Sequence, residues 1–566
     1  MLTPWGEKLD KDNILQEYPR PQLRRDSYLN LNGEWEYCVS ESADEPAEFP
    51  ETILVPFSPE SELSGDVTCP RKCDYIWYRR RFSLPEGFNR GRVLLHFGAV
   101  DQSATVFVNG RELMSHVGGF TPFSVDITEA LEGDSVEIVV RAVDVTDASW
   151  HSRGKQSSKR GGIWYTPQSG IWQTVWMESV PEKYIRGLRI MPRFDEGELE
   201  LWVAGEGEGS ITVEGESHGF TAGEPAVIKL KEVHPWTPET PYLYELSLSL
   251  GEDRVESYFA MRKFSVEADE KGVKRLFLNG RPYFHNGMLD QGYWSDGMLT
   301  APSDEALIFD IQTAKDMGFN MLRKHIKLEP MRWYYHCDRL GMLVWQDMPS
   351  GGTKYNPLVI SAPLVTKKHI SDSHYGLFGR KSREGREQFY VELREMINAL
   401  YNCPCIAVWV PFNEGWGQFD AKKACNIIRG MDESRTIDHA SGWHDQYFGE
   451  LKSWHVYFKR YTFQPDSLGR AVVLSEFGGY NHRVEGHAFN KKDFGYKRYE
   501  SVNSFKHAFR ELYRDQIIPA WQEGLAAAVY TQLSDVEDEL NGLITYDRKV
   551  VKIPPAVVKS IIGVEQ

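Results

Sequence analysis

The chain has 566 residues, 41% of them hydrophobic and 26% charged. That is the balance of a packed globular protein rather than a disordered or fibrous one, and at about 150 residues per domain it allows three domains. A formal net charge of −16 excludes the counterion-releasing attraction on which nucleic-acid binders depend, so no nucleic-acid partner is expected. No apolar run reaches the length of a membrane span, and Met1-Leu2-Thr3-Pro4-Trp5-Gly6-Glu7-Lys8 lacks the basic and apolar regions of a signal peptide. No membrane association and a cytoplasmic location are therefore expected. The odd set of seven cysteines fits reduced thiols, and the spacings of Cys69 with Cys73 and of Cys403 with Cys405 match no common zinc pattern.

From residue 28 to 180 the pattern alternates with a period of two. Examples are Val93-Leu94-Leu95-His96-Phe97 and Ala104-Thr105-Val106-Phe107-Val108, the latter followed by the hairpin signal Asn109-Gly110. An antiparallel β-sandwich over 1–180 is predicted, with the polar, basic and glycine-rich stretch 152–162 as a long loop inside it. Short strands at Leu199-Glu200-Leu201-Trp202-Val203 and Leu243-Tyr244-Glu245-Leu246-Ser247-Leu248, parted by Gly and Pro turns, predict a small immunoglobulin-like β-sandwich over 181–268. From 269 to 566 strands alternate with helices. Ser303 caps a helix carrying Leu307, Ile311, Ala314 and Met317, and Gly318 ends it; a second helix runs from Pro330 to Leu340, and apolar strands follow at 342–347, 406–410, 471–475 and 526–530. Roughly 290 residues of this alternation predict a (β/α)8 TIM barrel, in which reactive groups stand at the C-terminal ends of the strands.

Two of those strands run into a carboxylate: Val408-Trp409-Val410-Pro411-Phe412-Asn413-Glu414-Gly415-Trp416-Gly417 and Val473-Leu474-Ser475-Glu476-Phe477-Gly478-Gly479. One strand-end Glu alone is more often a salt-bridged rim residue. A pair at one barrel mouth is what glycosidic cleavage needs, with one carboxyl protonated to assist the leaving oxygen and one ionised to meet the oxocarbenium-like carbon.

With these motifs the sequence resembles family 2 of the glycoside hydrolases, the group of β-galactosidases, β-glucuronidases and β-mannosidases, over nearly its whole length. Tyr18-Pro19-Arg20-Pro21-Gln22, Leu31-Asn32-Gly33-Glu34-Trp35 and Trp77-Tyr78-Arg79-Arg80-Arg81-Phe82 look like the family's sugar-binding jelly-roll domain, and Gly170-Ile171-Trp172-Gln173 looks like its closing motif. Trp236-Thr237-Pro238-Glu239-Thr240-Pro241-Tyr242-Leu243-Tyr244 is similar to part of the immunoglobulin-like domain. Asn413-Glu414 matches the acid/base motif, and Ser475-Glu476-Phe477-Gly478 looks like the nucleophile motif.

The resemblance implies a retaining, exo-acting hydrolase of a carbohydrate substrate, needing no cofactor and no metal. Glu476 is the nucleophile and Glu414 the general acid/base, while Asn413 bonds the sugar 2-hydroxyl and Trp416 lies beside the substrate. Tyr457 is placed to donate to the nucleophile, with a core tyrosine as the alternative. The loop 152–168 is expected to wall the site and to present Trp164 and Tyr165 beside Arg153, Lys155, Lys159 and Arg160; the alternative is a mobile surface loop.

Four departures leave the sugar open. The run Arg323-Lys324-His325-Ile326-Lys327-Leu328-Glu329-Pro330 places its His one position early and lacks the Tyr-Pro of family β-galactosidases and β-glucuronidases. Arg323 still suits a bidentate grip on the nucleophile. His325 reads as a sugar ligand or a structural histidine, and Lys324 and Lys327 read as solvated strand-end charges. The segment 284–291 lacks the His-rich run of well-known β-galactosidases, and its Asp290 grips sugar hydroxyls or caps a turn. Leu543, in Asn541-Gly542-Leu543, replaces the lysine that holds a uronate, and the late-strand Trp appears replaced near Tyr530-Thr531-Gln532. Galactose leads, α-L-arabinopyranose follows, and mannose and glucuronate trail. A non-catalytic carbohydrate binder and a metal hydrolase built on His325, His439 and His455 are the rivals from other classes. Assembly into a homo-oligomer stays open.

Overall fold

The computed structural model describes residues 1–71, 74–366 and 368–563; Cys73 lies outside the described residues. Period-two alternation in the N-terminal region builds two facing antiparallel sheets. One has the strand order Glu51–Val55, Gly33–Ser40, Tyr75–Ser83, Ser135–Val143, Ser103–Val108, Arg111–Val117, and the other Tyr28–Asn30, Val175–Val180, Arg92–Phe97, Phe123–Asp126. Trp35, Tyr78, Val106 and Ile138 of the first pack against Val93, Leu95 and Met177 of the second, the arrangement of a β-sandwich core. Asn109 and Gly110, at φ 48° and 75°, make the tight turn that pairs Val108 with Arg111, as the Asn-Gly signal predicts.

A second sandwich stacks a three-stranded sheet (Gly187–Arg193, Glu198–Ala204, Pro225–Lys229) on a four-stranded one (Glu216–Thr221, Glu208–Val213, Tyr244–Leu250, Asp253–Phe259). Leu199, Leu201 and Val203 meet Ile211, Leu246 and Leu248 inside it. The hairpin of Phe264–Ala268 with Lys274–Leu278 then spans the expected division at 268/269 and leads into the barrel.

Arg25 ties the two sandwiches together. Its Nη1 donates to both oxygens of Glu178, at 3.2 and 3.1 Å, and its Nε and Nη2 donate to Asp253, at 2.8 and 2.9 Å, with all three side chains buried. Arg25→Ala leaves the Asp253 carboxylate buried without its cation, and we expect a loss of about 3–5 kcal/mol. The reading is the urea midpoint of the transition that reports the N-terminal domains; an unmoved midpoint would mean that water replaces the guanidinium at no cost.

The C-terminal sheet has eight parallel strands: β1 His285–Asp290, β2 Met321–Lys324, β3 Leu343–Asp347, β4 Ile406–Val410, β5 Thr436–Ile437, β6 Leu451–Val456, β7 Ala471–Gly478 and β8 Ala527–Thr531. Hydrogen-bonded pairing runs β5-β4-β3-β2-β1-β8-β7-β6, a nearly closed TIM-like barrel. Apolar strand residues such as Met288, Leu322, Val344, Val408, Val473 and Val529 are fully buried between barrel and helices, which is why the strands read as continuous apolar runs. Ser303 caps the helix Asp304–Asp316 by accepting from Ala306 N, and Met331–Leu340 ends at Gly341 in the left-handed conformation, both as predicted.

The strict (β/α)8 expectation needs one correction. Among the described residues no helix follows β5 or β6; those links are glycine-, proline- and polar-rich coil. The outer faces they would cover show Tyr447, Trp454 and Phe458 to solvent. No helix of the described residues is long and apolar enough to cross a membrane.

Candidate active site

Every expected reactive group lies at the C-terminal end of the barrel. Glu414 follows β4 with φ 52°, and Gly415 follows at φ 79°. The left-handed region is costly for a residue with a Cβ, and here it is held by hydrogen bonds from Glu414 N to Ser441 O (2.9 Å) and from Trp416 N to Asn413 O (3.0 Å). Glu476 lies within β7, where the register shifts against both neighbours, between Trp454 and His455 on β6 and between Leu474 and Phe477 on the β8 side. Such an irregularity turns a side chain out of its regular alternation, and it sets His455 opposite Glu476.

Arg323 on β2 joins the site's polar groups. Its Nη1 donates to Glu476 Oε1 at 3.2 Å, its Nη2 to Asn413 Oδ1 at 2.8 Å, and its Nε and Nη2 to Asp347 at 2.9 to 3.1 Å. The bidentate grip falls on Asp347 rather than on Glu476, so Asp347 orients the guanidinium and Arg323 gives Glu476 a single bond. Tyr457 donates its hydroxyl to the other oxygen of Glu476. Burial and the Glu476 charge hold that phenol well above its usual pKa, so it stays a donor. Of the two readings of Tyr457 the hydrogen-bonding one fits.

His325 faces Asp347 Oδ2 through Nδ1 at 2.7 Å. Burial first, then the charges of Lys155 and Arg323, hold its pKa well below the ordinary histidine value; the ring is neutral and Nδ1 is the donor. Glu414 bonds His455 Nδ1 at 2.7 Å and accepts from Trp416 Nε1 at 3.1 Å. Burial pushes the Glu414 carboxyl upward, but His455, Lys155 and the Trp416 N–H together outweigh it and leave it below its usual range.

One expectation changes, that for Lys324 and Lys327, and the alternatives left for Asp290 and for the histidines narrow. Asp290 spends one oxygen on Lys324 Nζ (2.6 Å) and the other on Gly292 N (2.9 Å), so it caps a turn and closes an ion pair instead of facing a sugar. Lys324 and Lys327 are not solvated: both are buried on Glu329 Oε1, at 2.8 and 2.9 Å, and burial pulls Lys327 down to about 8. The histidines weighed as a metal centre do not converge, since His325 is bound to Asp347, His439 to Asp445 and His455 to Glu414. Single donor atoms of Glu414, His455 and Glu476 do come within 4.8 Å of one another, but the Arg323 guanidinium on Glu476 sets a positive charge against any cation there.

The jelly-roll loop 152–168 reaches the barrel at two places. Arg153 N and Gly154 N donate to Ser350 O, at 2.9 and 3.0 Å, just after β3. Beyond β8, Arg160 pairs with Glu537 (2.9 Å) and Asp538 (3.2 Å), Thr166 N donates to Glu537 (2.8 Å) and the Tyr165 hydroxyl donates to Glu539. Gly154 sits at φ 59°, and a Cβ on it would stand 2.8 Å from Ile326 O, so the loop presses directly on the barrel. Trp164 thereby meets Trp416 edge-on (ring centroids 5.2 Å) and lies nearly parallel to Tyr355 (6.1 Å), an aromatic group beside Glu414. Replacing residues 153–161 with a short Gly-Ser linker is expected to raise KM about tenfold or more in a folded protein. Unchanged kcat and KM would mean that the loop contributes no wall.

Asp347, His455 and Glu539 were not singled out as substrate-site residues by sequence. Asp347 ends an apolar strand as abruptly as the two glutamates do, so the same strand-end rule finds it. His455 follows from β6 only once the register is known.

The sequence profile of the glycosyl hydrolases family 2 sugar binding domain matches residues 63–181, that of glycosyl hydrolases family 2 matches 191–262, and that of the family 2 TIM barrel domain matches 271–477. The chain belongs to glycoside hydrolase family 2. Among its family 2 relatives, a β-galactosidase of Thermoanaerobacter pseudethanolicus is 25% identical over 440 residues, covering 72% of this chain and 54% of the relative. A putative β-glucuronidase of Formosa agariphila is 26% identical over 511 residues, covering 80% and 57%. The chain thus spans about half the length of these curated relatives. In fold it is similar to a β-glucuronidase of Faecalibacterium prausnitzii, with a TM-score of 0.75 at 19% identity over 96% of this chain and 99% of that one. It is also similar to a β-galacturonidase of Eisenbergiella tayi, with a TM-score of 0.70 at 19% identity over 98% and 100%.

Proposed function

We propose that the chain is a retaining exo-glycosidase that removes a terminal sugar from glycosides or oligosaccharides by double displacement, β-galactosides leading. The observation that carries this reading is that a carboxylate oxygen of Glu414 and one of Glu476 lie within 4.8 Å of each other. That short approach supports a retaining pair rather than an inverting one, whose carboxyls stand about 6.5–9.5 Å apart. Glu476, oriented by Arg323 and Tyr457, attacks the anomeric carbon; Glu414 protonates the departing oxygen and then takes a proton from the incoming water. Asn413, fixed by Arg323, presents its amide to the 2-hydroxyl. The loop 152–168 closes the glycone end, which favours exo-cleavage.

An α-L-arabinopyranoside, which lacks only the hydroxymethyl of galactose, follows as substrate, and a β-mannoside trails. A uronide is the second reading. Leu543 is buried and supplies no cation, but the charge of Lys155 acts on Glu414, His325, Asp347 and Glu539 together, so an ammonium faces the pocket. A screen of nitrophenyl β-galactoside, α-L-arabinopyranoside, β-mannoside, β-glucuronide and β-galacturonide decides among them. Turnover of uronides alone would overturn the galactoside assignment, and turnover of none would overturn the enzymatic one.

A further inference from the structure

His455 is the unexpected neighbour of the acid/base, and a row of buried hydroxyls leads away from it. His455 Nε2 lies 3.1 Å from Ser441 Oγ, Ser441 Oγ lies 2.9 Å from Ser475 Oγ, Ser475 Oγ lies 2.5 Å from Ser453 Oγ, and Ser453 Oγ lies 2.8 Å from Asp438 Oδ2. All five residues are buried. The row runs from His455 on β6 to Ser441 in the segment after β5, on to Ser475 on β7, back to Ser453 on β6 and then to Asp438 directly after β5.

Each hydroxyl owns a single hydrogen, and an ionised carboxylate only accepts. With Asp438 ionised, Ser453 gives its hydrogen to Asp438, and Ser475, which also faces Trp454 O at 3.3 Å, gives its hydrogen over the shorter 2.5 Å contact to Ser453, so that Ser441 gives its hydrogen to Ser475. Ser441 then has only lone pairs to offer, so Nε2 of His455 must be the donor. Nδ1, 2.7 Å from Glu414 Oε1, is left to share one further proton with Glu414, as Glu414–OH···Nδ1 or as Glu414–O⁻···H–Nδ1⁺.

We propose that Asp438, acting through Ser453, Ser475 and Ser441, fixes the tautomer of His455 so that the general-acid proton is held jointly by Glu414 and His455. This rests on Glu414 being the acid/base. Asp438 and the three serines are positioning residues, whereas His455 touches the reacting carboxyl. The arrangement is that of a second carboxylate setting which nitrogen of a histidine carries its hydrogen, here at a distance of three hydroxyls. The proton passes to the leaving oxygen in the first half-reaction and is regained from water in the second, so no external donor is required.

The charges facing the two ends fit this sharing. Glu414 is met by His455, Lys155 and the Trp416 N–H, with the Tyr457 and Tyr496 phenols and Glu476 nearby. Burial raises the Asp438 carboxyl above its usual value, opposed by the Ser453 hydroxyl and by the charges of His439, Arg323 and His455; the Cys425 thiol lies near it.

The sign of the pH effect follows. Neutralising Asp438 removes a negative charge that favours the extra proton on the Glu414–His455 pair, so the pair loses that proton at lower pH. In Asp438→Asn the alkaline limb of kcat/KM on an alkyl glycoside, whose leaving group needs the acid, is expected to move down by about one pH unit. Ser453→Ala, which cuts the row, should move it the same way. Turnover of a dinitrophenyl glycoside, which needs little acid, should stay within about threefold.

An unmoved limb in both folded variants, or an equal loss on both substrates, overturns the proposal. The second measurement needs no turnover: nitrogen-15 spectra of histidine-labelled protein, with the His455 signals assigned by their absence from His455→Asn. A hydrogen on Nε2 at pH 6–7 is expected, and a neutral ring carrying its hydrogen on Nδ1 overturns the proposal. Because that spectrum decides independently, a wild type inactive on every glycoside would sink the assigned activity without settling the proton's place.

Discussion

Glu476→Gln is expected to lower kcat/KM on an aryl glycoside by at least about 10⁴-fold. The substitution keeps size and shape, and the amide still accepts from Tyr457 or Arg323, so the site stays folded around it. It loses the negative charge and the nucleophilic oxygen, and no neighbour replaces them. Asp347 is held by Arg323 and His325, and Glu414 is bound to His455 and Trp416. A 2-fluoro glycoside with an activated leaving group tests the same point in the wild type. Fluorine slows both half-reactions and the good leaving group rescues only the first, so the glycosyl ester accumulates. Mass spectrometry of the digest should find the sugar on Glu476. Finding it on Glu414 would exchange the two roles, and finding it elsewhere would discard both.

The second large effect depends on the substrate. Glu414→Ala should cost about 10²–10⁴-fold on an alkyl glycoside or disaccharide, whose departing oxygen needs the proton, and less than about tenfold for the first half-reaction of a dinitrophenyl glycoside. Removing the carboxylate also empties the cavity facing His455, so a small anion such as azide should reach the glycosyl ester and release a glycosyl azide. Equal losses on both substrates, without azide rescue, would show that Glu414 holds structure rather than a proton.

How far the sequence could be read followed the range of the forces involved. The sandwiches, the barrel, the Ser303 cap and the Asn109-Gly110 turn are set by local periodicity and turn chemistry, and they are legible residue by residue. The paired glutamates were legible too, because an apolar strand ending in a carboxylate is a short-range pattern. What stayed hidden depends on register and on distant partners. Nothing near Lys324 announces that Asp290 and Glu329 fold onto it, so a buried ion cluster read as a solvated edge. His455 suggested at most a metal ligand, because its meeting with Glu414 comes from the slip of β6 against β7. The missing helices after β5 and β6 escaped because the family pattern stood in for a weak local signal.

The two anchorages of loop 152–168 set a limit on the working range of the molecule. The barrel is held by a continuous apolar core that also takes in Ala99, Phe120, Tyr165 and Trp172 of the jelly roll, while the outer part of the loop rests on backbone bonds to Ser350 and on Arg160, a third exposed, against Glu537 and Asp538. Such contacts contribute about 1 kcal/mol each or less. On warming or in mild urea the outer part of the loop around Arg160 loosens first, with the barrel strands intact and the paired carboxyls still within reach of each other. On the proposed reading what is lost at that point is the wall that restricts the site to a terminal sugar, so selectivity is expected to fail at a lower temperature than the fold.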